Sequence, residues 1–102
     1  MTILVSPPSF VMQSSEELPL GFDATALLLS GQTVSSPTTV LTDLTTSTTI
    51  TLANAPTVSG NIVTQVVVGS QLTADHVYRL VVTFTAGTDT TWSMPLQISC
   101  PF

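Results

Sequence analysis

The stretch QLTADHVYRLVVTFTAGTDTTWSMPLQI, residues 71–98, decides the fold. Within it Tyr78, Leu80, Val82 and Phe84 alternate with Val77, Arg79, Val81 and Thr83, the period-two pattern of a strand with one face buried and the other open. Residues 78–85 and 91–99 read as antiparallel partners joined through Ala86-Gly87-Thr88-Asp89-Thr90, a run of turn-forming residues. On the second strand Trp92, Met94, Leu96 and Ile98 share one face, which predicts that Trp92 and Tyr78 both enter the core. Leu72 stands six residues before Tyr78 across a polar Thr-Ala-Asp-His link. That order predicts a corner in which the tyrosine hydroxyl bonds back to upstream backbone; a core tyrosine without such a bond is the plainer alternative.

Working outward, residues 62–68 are the most β-branched run in the chain and are closed by Gly69-Ser70. Residues 22–29, 33–41 and 48–53 predict three earlier strands, with Pro37 marking an edge or bulge, and Val58 a short one before Ser59-Gly60-Asn61. No segment keeps a helical period over three turns. The fold class is therefore all-β: an immunoglobulin-like β-sandwich of six or seven antiparallel strands over residues 21–102, with an extended N-terminal arm over residues 1–20. The arm is read from the apolar bursts Ile3-Leu4-Val5 and Phe10-Val11-Met12, broken by Pro7, Pro8 and Pro19. Proline removes a ladder donor and holds the chain extended, so the segment predicts an arm lying on another surface. A first sandwich strand at residues 3–5 is the alternative, and Glu16-Glu17 marks a solvated hinge in either case.

Composition narrows the function. The chain has 102 residues, one domain's worth. Charged residues make up 7% of it, against about 25% in an average protein. A β-prone surface with so little charge tends to associate, which suits assembly into something larger and a homo-oligomer. Six acids face a single base, for a net charge of −5. Nucleic acid is a poor partner, because phosphate binding takes about six to ten Lys or Arg contacts, and anionic membrane surfaces are disfavoured for the same reason. Cys100 is the only cysteine, so no intrachain disulfide forms, a chemistry that suits a reducing cytoplasm. Residues 1–7 lack a basic leader, and their apolar run is too short for a signal peptide or a membrane span.

Catalytic chemistry finds little material. Asp75-His76 invites a triad, but no strained nucleophile turn such as G-x-S-x-G accompanies it, so His76 reads as a solvent-facing corner residue. One histidine and one cysteine do not make a metal site, and Asp23, Asp43, Asp75 and Asp89 read as turn caps. Neither catalytic residues, nor metal ligands, nor a cofactor site are expected. Cys100 reads as a small hydrophobe.

The order Gly31-Gln32-Thr33-Val34-Ser35-Ser36, then Val66-Val67-Val68-Gly69-Ser70, then Tyr78-Arg79-Leu80-Val81-Val82-Thr83 and the Ala86-Gly87 hairpin resembles a family of small virion proteins of tailed bacteriophages. The resemblance covers residues 22–98. It departs at Thr90-Thr91-Trp92, where relatives often carry charge, and in the proline-containing arm. It implies a capsid cement or decoration protein, assembled into the virion in the host cytoplasm, whose partners are the major capsid protein and neighbouring copies of itself. A neck or tail-fibre adaptor, with portal or tail partners, is the alternative. A carbohydrate-binding or adhesion module is a third reading, weakened by the shortage of aromatics for a sugar platform. On this reading the partner-binding residues are Ile3, Val5, Phe10 and Met12 of the arm, and Arg79 on the sandwich.

Overall fold

The computed structural model describes residues 3–4 and 9–102, with side chains described from residue 9 onward. Its strands are β1 (Ile3–Leu4), β2 (Ser9–Val11), β3 (Glu17–Asp23), β4 (Val34–Asp43), β5 (Thr48–Ile50), β6 (Thr57–Ser59), β7 (Ile62–Val68), β8 (His76–Ala86) and β9 (Thr90–Cys100). They form two sheets, ordered β1-β3-β7-β6 and β2-β9-β8-β4-β5. The all-β sandwich is thus present. Seven strands, β3 to β9, pair antiparallel among themselves, and the two short N-terminal strands join in parallel.

The core lies where the inward parities of the two sheets meet. In β8, Tyr78, Leu80, Val82 and Phe84 are buried while Arg79 is exposed. In β9, Leu96, Ile98 and Cys100 are buried. From the other sheet come the inward rungs Leu20 beside Gln65 and Phe22 beside Val63, all four wholly buried. Removing such side chains from water is the main stabilising term, at about 1.5–3 kcal/mol for each large aliphatic or aromatic. The β8–β9 ladder runs unbroken from His76 opposite Cys100 to Ala86 opposite Thr90. Gly87 turns it with φ +70°, a left-handed conformation that glycine adopts without strain.

The predicted corner is present. The Thr73 backbone N–H donates to the Tyr78 hydroxyl at 2.6 Å, and Leu72 is packed into the core beside it. Just before the corner, the Gly69 N–H donates to the Glu16 carbonyl at 2.6 Å. A side chain on Gly69 would strike the carbonyls of Glu16, Ser14 and Gln13.

That contact ties the N-terminal segment to the sandwich. The expected arm over residues 1–20 does not hold for its described part. β2 pairs parallel with β9, Phe10 beside Ile98, and β3 pairs antiparallel with β7 from Glu17 beside Val68 to Asp23 beside Ile62. The sandwich therefore begins well before residue 21. Glu16 is no hinge: its Oε1 accepts from the Gln13 N–H at 2.7 Å and its own N–H donates to the Gln13 carbonyl at 3.1 Å, closing a turn between β2 and β3. Pro19 misleads as a strand-breaker. It stands opposite Val66, while the described pairing of β3 to β1 covers Leu20 and Gly21. A proline fits a strand wherever its missing donor faces away from a ladder.

Other boundaries moved for local reasons. The strand expected over residues 22–29 ends at Asp23, whose Oδ1 accepts from the N–H and the hydroxyl of Thr25, at 2.9 and 2.6 Å. This Asx turn opens a short 3-10 helix, Thr25–Leu27, and it holds the Asp23 carboxyl below its ordinary value, the Thr25 hydroxyl being the larger cause and its N–H the next. Pro37 marks a bulge as expected: the β4–β8 register shifts between Ser35 and Thr38, with Ser36 at φ +50°.

Candidate interaction face

The outward face of the five-stranded sheet is the most distinctive surface of the molecule. Cross-strand register puts Thr49, Thr42, Arg79, Gln97 and Ser9 in one row across β5, β4, β8, β9 and β2. Arg79 is the middle member of that row. Along its own strand the outward neighbours are Val77 and Val81, and the row above Arg79 is Val40, Val81 and Pro95. The next is Thr38, Thr83 and Ser93, with the last two hydroxyls 3.0 Å apart. Val11, beside Ser99, extends the face below Arg79. Val11 is 62% and Val40 50% exposed, so the face mixes open apolar side chains with uncharged polar ones. Arg79 has no ion-pair partner among the described residues.

The residues expected to bind a partner scatter in this structure. Arg79 is exposed on the face described above. Met12 cannot serve as an anchor, because it is wholly buried in the core and its N–H donates to the Ser99 carbonyl at 2.9 Å. Phe10 turns toward the core from β2 and is only partly covered. Ile3 pairs through its backbone with Leu20, and Val5 lies outside the described residues.

His76 is not the solvent-facing residue that the sequence suggested. It is half-buried, and its Nδ1 lies 2.7 Å from Oδ2 of Asp43. An ionised carboxylate only accepts, so Nδ1–H is the donor. The other oxygen of Asp43 accepts from the N–H groups of Thr45 and Thr46 at 2.9 and 3.1 Å. Burial pushes the Asp43 carboxyl up, but the His76 hydrogen bond, the Thr46 N–H, the charge of His76 and the Thr45 N–H together hold it below its ordinary value. The pair pins the β4–β5 turn to the start of β8, where the Val77 N–H also donates to the Thr45 hydroxyl at 3.0 Å. The adjacent Asp75-His76 drew attention to the wrong acid; Asp43 arrives from 33 residues away.

Gln65 is a second feature that the sequence reading passed over. It is wholly buried on the inward parity of β7, between Val63 and Val67. Its Oε1 accepts from the Thr39 hydroxyl at 2.6 Å, and its Nε2 donates to the carbonyls of Asn54 and Val66 at 2.9 and 2.8 Å. The pairing of β7 with one sheet and of Thr39 with the other makes this a polar tie across the sandwich. An inward-parity glutamine amid valines was its signal.

Trp92, expected in the core, is 38% exposed although it stands opposite the buried Phe84. Cys100 is buried, and burial, followed by the charge of Asp75, pushes its thiol up, which disfavours the reactive thiolate. It borders a hollow of about 150 Å³ together with His76 and Pro101. A larger open groove, about 420 Å³, runs between residues 37–40 and 49–52 and is closed by Asn54 and Pro56. Among the described residues no three of His, Cys, Asp and Glu gather as metal ligands, and no helix is long and apolar enough to cross a membrane. No protein-family model matches the chain, and neither does any curated protein or solved structure.

Proposed function

We propose that this chain is a structural protein of a tailed-bacteriophage virion, a capsid cement or decoration protein that grips the head shell through the five-stranded face around Arg79. One observation carries the reading: the lone Arg of the chain, which has no Lys, stands at the middle of a face whose other members are Val, Thr, Ser, Gln and Pro. Arginine within an uncharged face flanked by apolar side chains is a common anchor of a protein interface, where desolvation by surrounding contacts strengthens its pairing with a carboxylate. The partner surface would present that carboxylate within an apolar surround. Repetition over a symmetric lattice multiplies a modest contact into stable binding.

Strand order supports the immunoglobulin-like part of the reading. The order β1-β3-β7-β6 opposite β4-β8-β9 is that of an immunoglobulin constant-type sandwich, and the Tyr78 corner occupies the matching position before the last hairpin. The parallel pairings of β1 and β2 are this chain's departure.

The test is cosedimentation of the purified protein with heads that lack it. Wild type is expected to bind at on the order of hundreds of copies per head, and Arg79→Glu to bind roughly tenfold more weakly or worse. Unaltered binding by Arg79→Glu removes the face from the proposal. Copies confined to one vertex would favour the neck or tail adaptor instead.

A further inference from the structure

The groove beside β4 marks a place where a sheet lane stops short. β5 pairs with Leu41, Thr42 and Asp43 and then leaves, so that residues 37–40 have β8 on one side and the groove on the other. The Leu44 N–H donates to the Val77 carbonyl at 2.8 Å. In an antiparallel pair, hydrogen-bonded rungs alternate with open ones, so Thr42, Val40 and Thr38 direct their backbone groups to β8, while Leu41 and Thr39 direct theirs the other way. Leu41 meets Ile50 of β5. The backbone N–H and C=O of Thr39 face the empty lane, and neither finds a backbone partner there among the described residues. Its side chain is turned inward, tied to Gln65.

We propose that this lane is an acceptor for a short extended segment of a different protein, which adds as a strand in line with β5 and exchanges two backbone hydrogen bonds with Thr39. The inference deepens the assembly reading above and rests on it. Three features define the occupant. Unpaired edge groups call for a β-strand. No charged residue lines the groove, whose walls are Thr, Val, Ile, Leu, Pro and Asn, so the segment is uncharged, with small or β-branched side chains that fit beside Val40, Ile50 and Leu52. Pro37, which has no N–H, follows at the bulge and ends the donor edge, so the paired part is only two or three residues long.

A second copy does not fit by pairing edge to edge. Its β4 would approach antiparallel and bring its own β5, which occupies the same lane beyond Leu41, onto Ser35 and Val34. A free-ended or looped segment meets no such obstacle.

The experiment is amide-resolved NMR titration of the full chain with the peptide acetyl-TVTVT-amide. The expected result is a set of shift changes confined to residues 37–40 and 49–52, with slowed exchange of the Thr39 amide. The same peptide N-methylated at alternate residues loses its donors and is expected to bind roughly tenfold more weakly. Shifts elsewhere, no shifts at millimolar peptide, or equal binding of the methylated peptide each overturn the acceptor. A concentration-dependent dimer that protects Thr39 without peptide overturns the choice of occupant. Head binding that depends on Arg79 without any peptide response sinks this inference alone, whereas peptide binding without head binding sinks the assembly reading alone.

Discussion

The β8–β9 hairpin and the segment of residues 9–23 both bury apolar side chains in one core, yet they reach it by different routes. The hairpin pairs with itself across the three-residue connection 87–89, and its buried β8 residues follow the alternation written along the chain. The N-terminal segment pairs with β9 and β7, whose sequence positions are some of the most distant available. Its apolar residues fall in two short runs, Phe10-Val11-Met12 and Leu18 to Phe22, because a turn divides it between two short lanes in different sheets. What the difference teaches is that period-two alternation identifies a strand that is covered along its whole length. A segment split by a turn between strands of two sheets does not keep that period long enough to display it.

Deleting residues 1–20 breaks the comparison most severely. The deletion removes β1, β2, most of β3, Met12 and Leu20, and leaves Gln65 and Val67 of β7 without neighbours on one side. The expected outcome is loss of the cooperative thermal transition followed by circular dichroism. A folded remainder would restore the arm. Next in size, Met12→Ala should cost about 3 kcal/mol in denaturant unfolding, while its neighbour Val11→Ala, on the open face, should stay within about 0.5 kcal/mol. Equal effects would mean that β2 is a surface strand and not part of the core.

The smallest effect concerns the pin at the base of the hairpin. The folded Asp43 carboxyl lies below its ordinary value of 3.8. The unfolded chain therefore takes up its proton first as the pH falls. The stabilisation is complete above 3.8, shrinks as the pH drops through the folded value, and is gone once both states are protonated. Asp43→Asn should be less stable than wild type near neutral pH, with the gap closing in that acid window. A gap that persists at the acid end would assign the loss to packing and not to the charge.

The legible part of this molecule was the part governed by parity. β7 was read at Ile62–Val68 for a different local reason, its run of β-branched residues closed by Gly69-Ser70. The Tyr78 corner was legible because its parts fall within one short loop. Arg79 was legible as an outward residue, since its parity opposes that of Tyr78 and Leu80. The site was legible to that extent only. That Arg79 centres a face, and is not merely one exposed residue, depends on which strands lie on either side.

From the sequence by itself come the all-β class, the strand at residues 62–68, the inward and outward faces of β8, the turns that close these strands, and a surface nearly free of charge. Each is a property of residue type and spacing along a single segment. The tertiary structure alone decided that residues 9–23 belong to both sheets, that Asp43 meets His76, that Gln65 ties to Thr39, and that β5 leaves a lane open beside β4. All four depend on which distant segment comes alongside. That choice is made by the packing of the whole core, where the energy of a lane is shared among many residues and is not encoded in any one stretch.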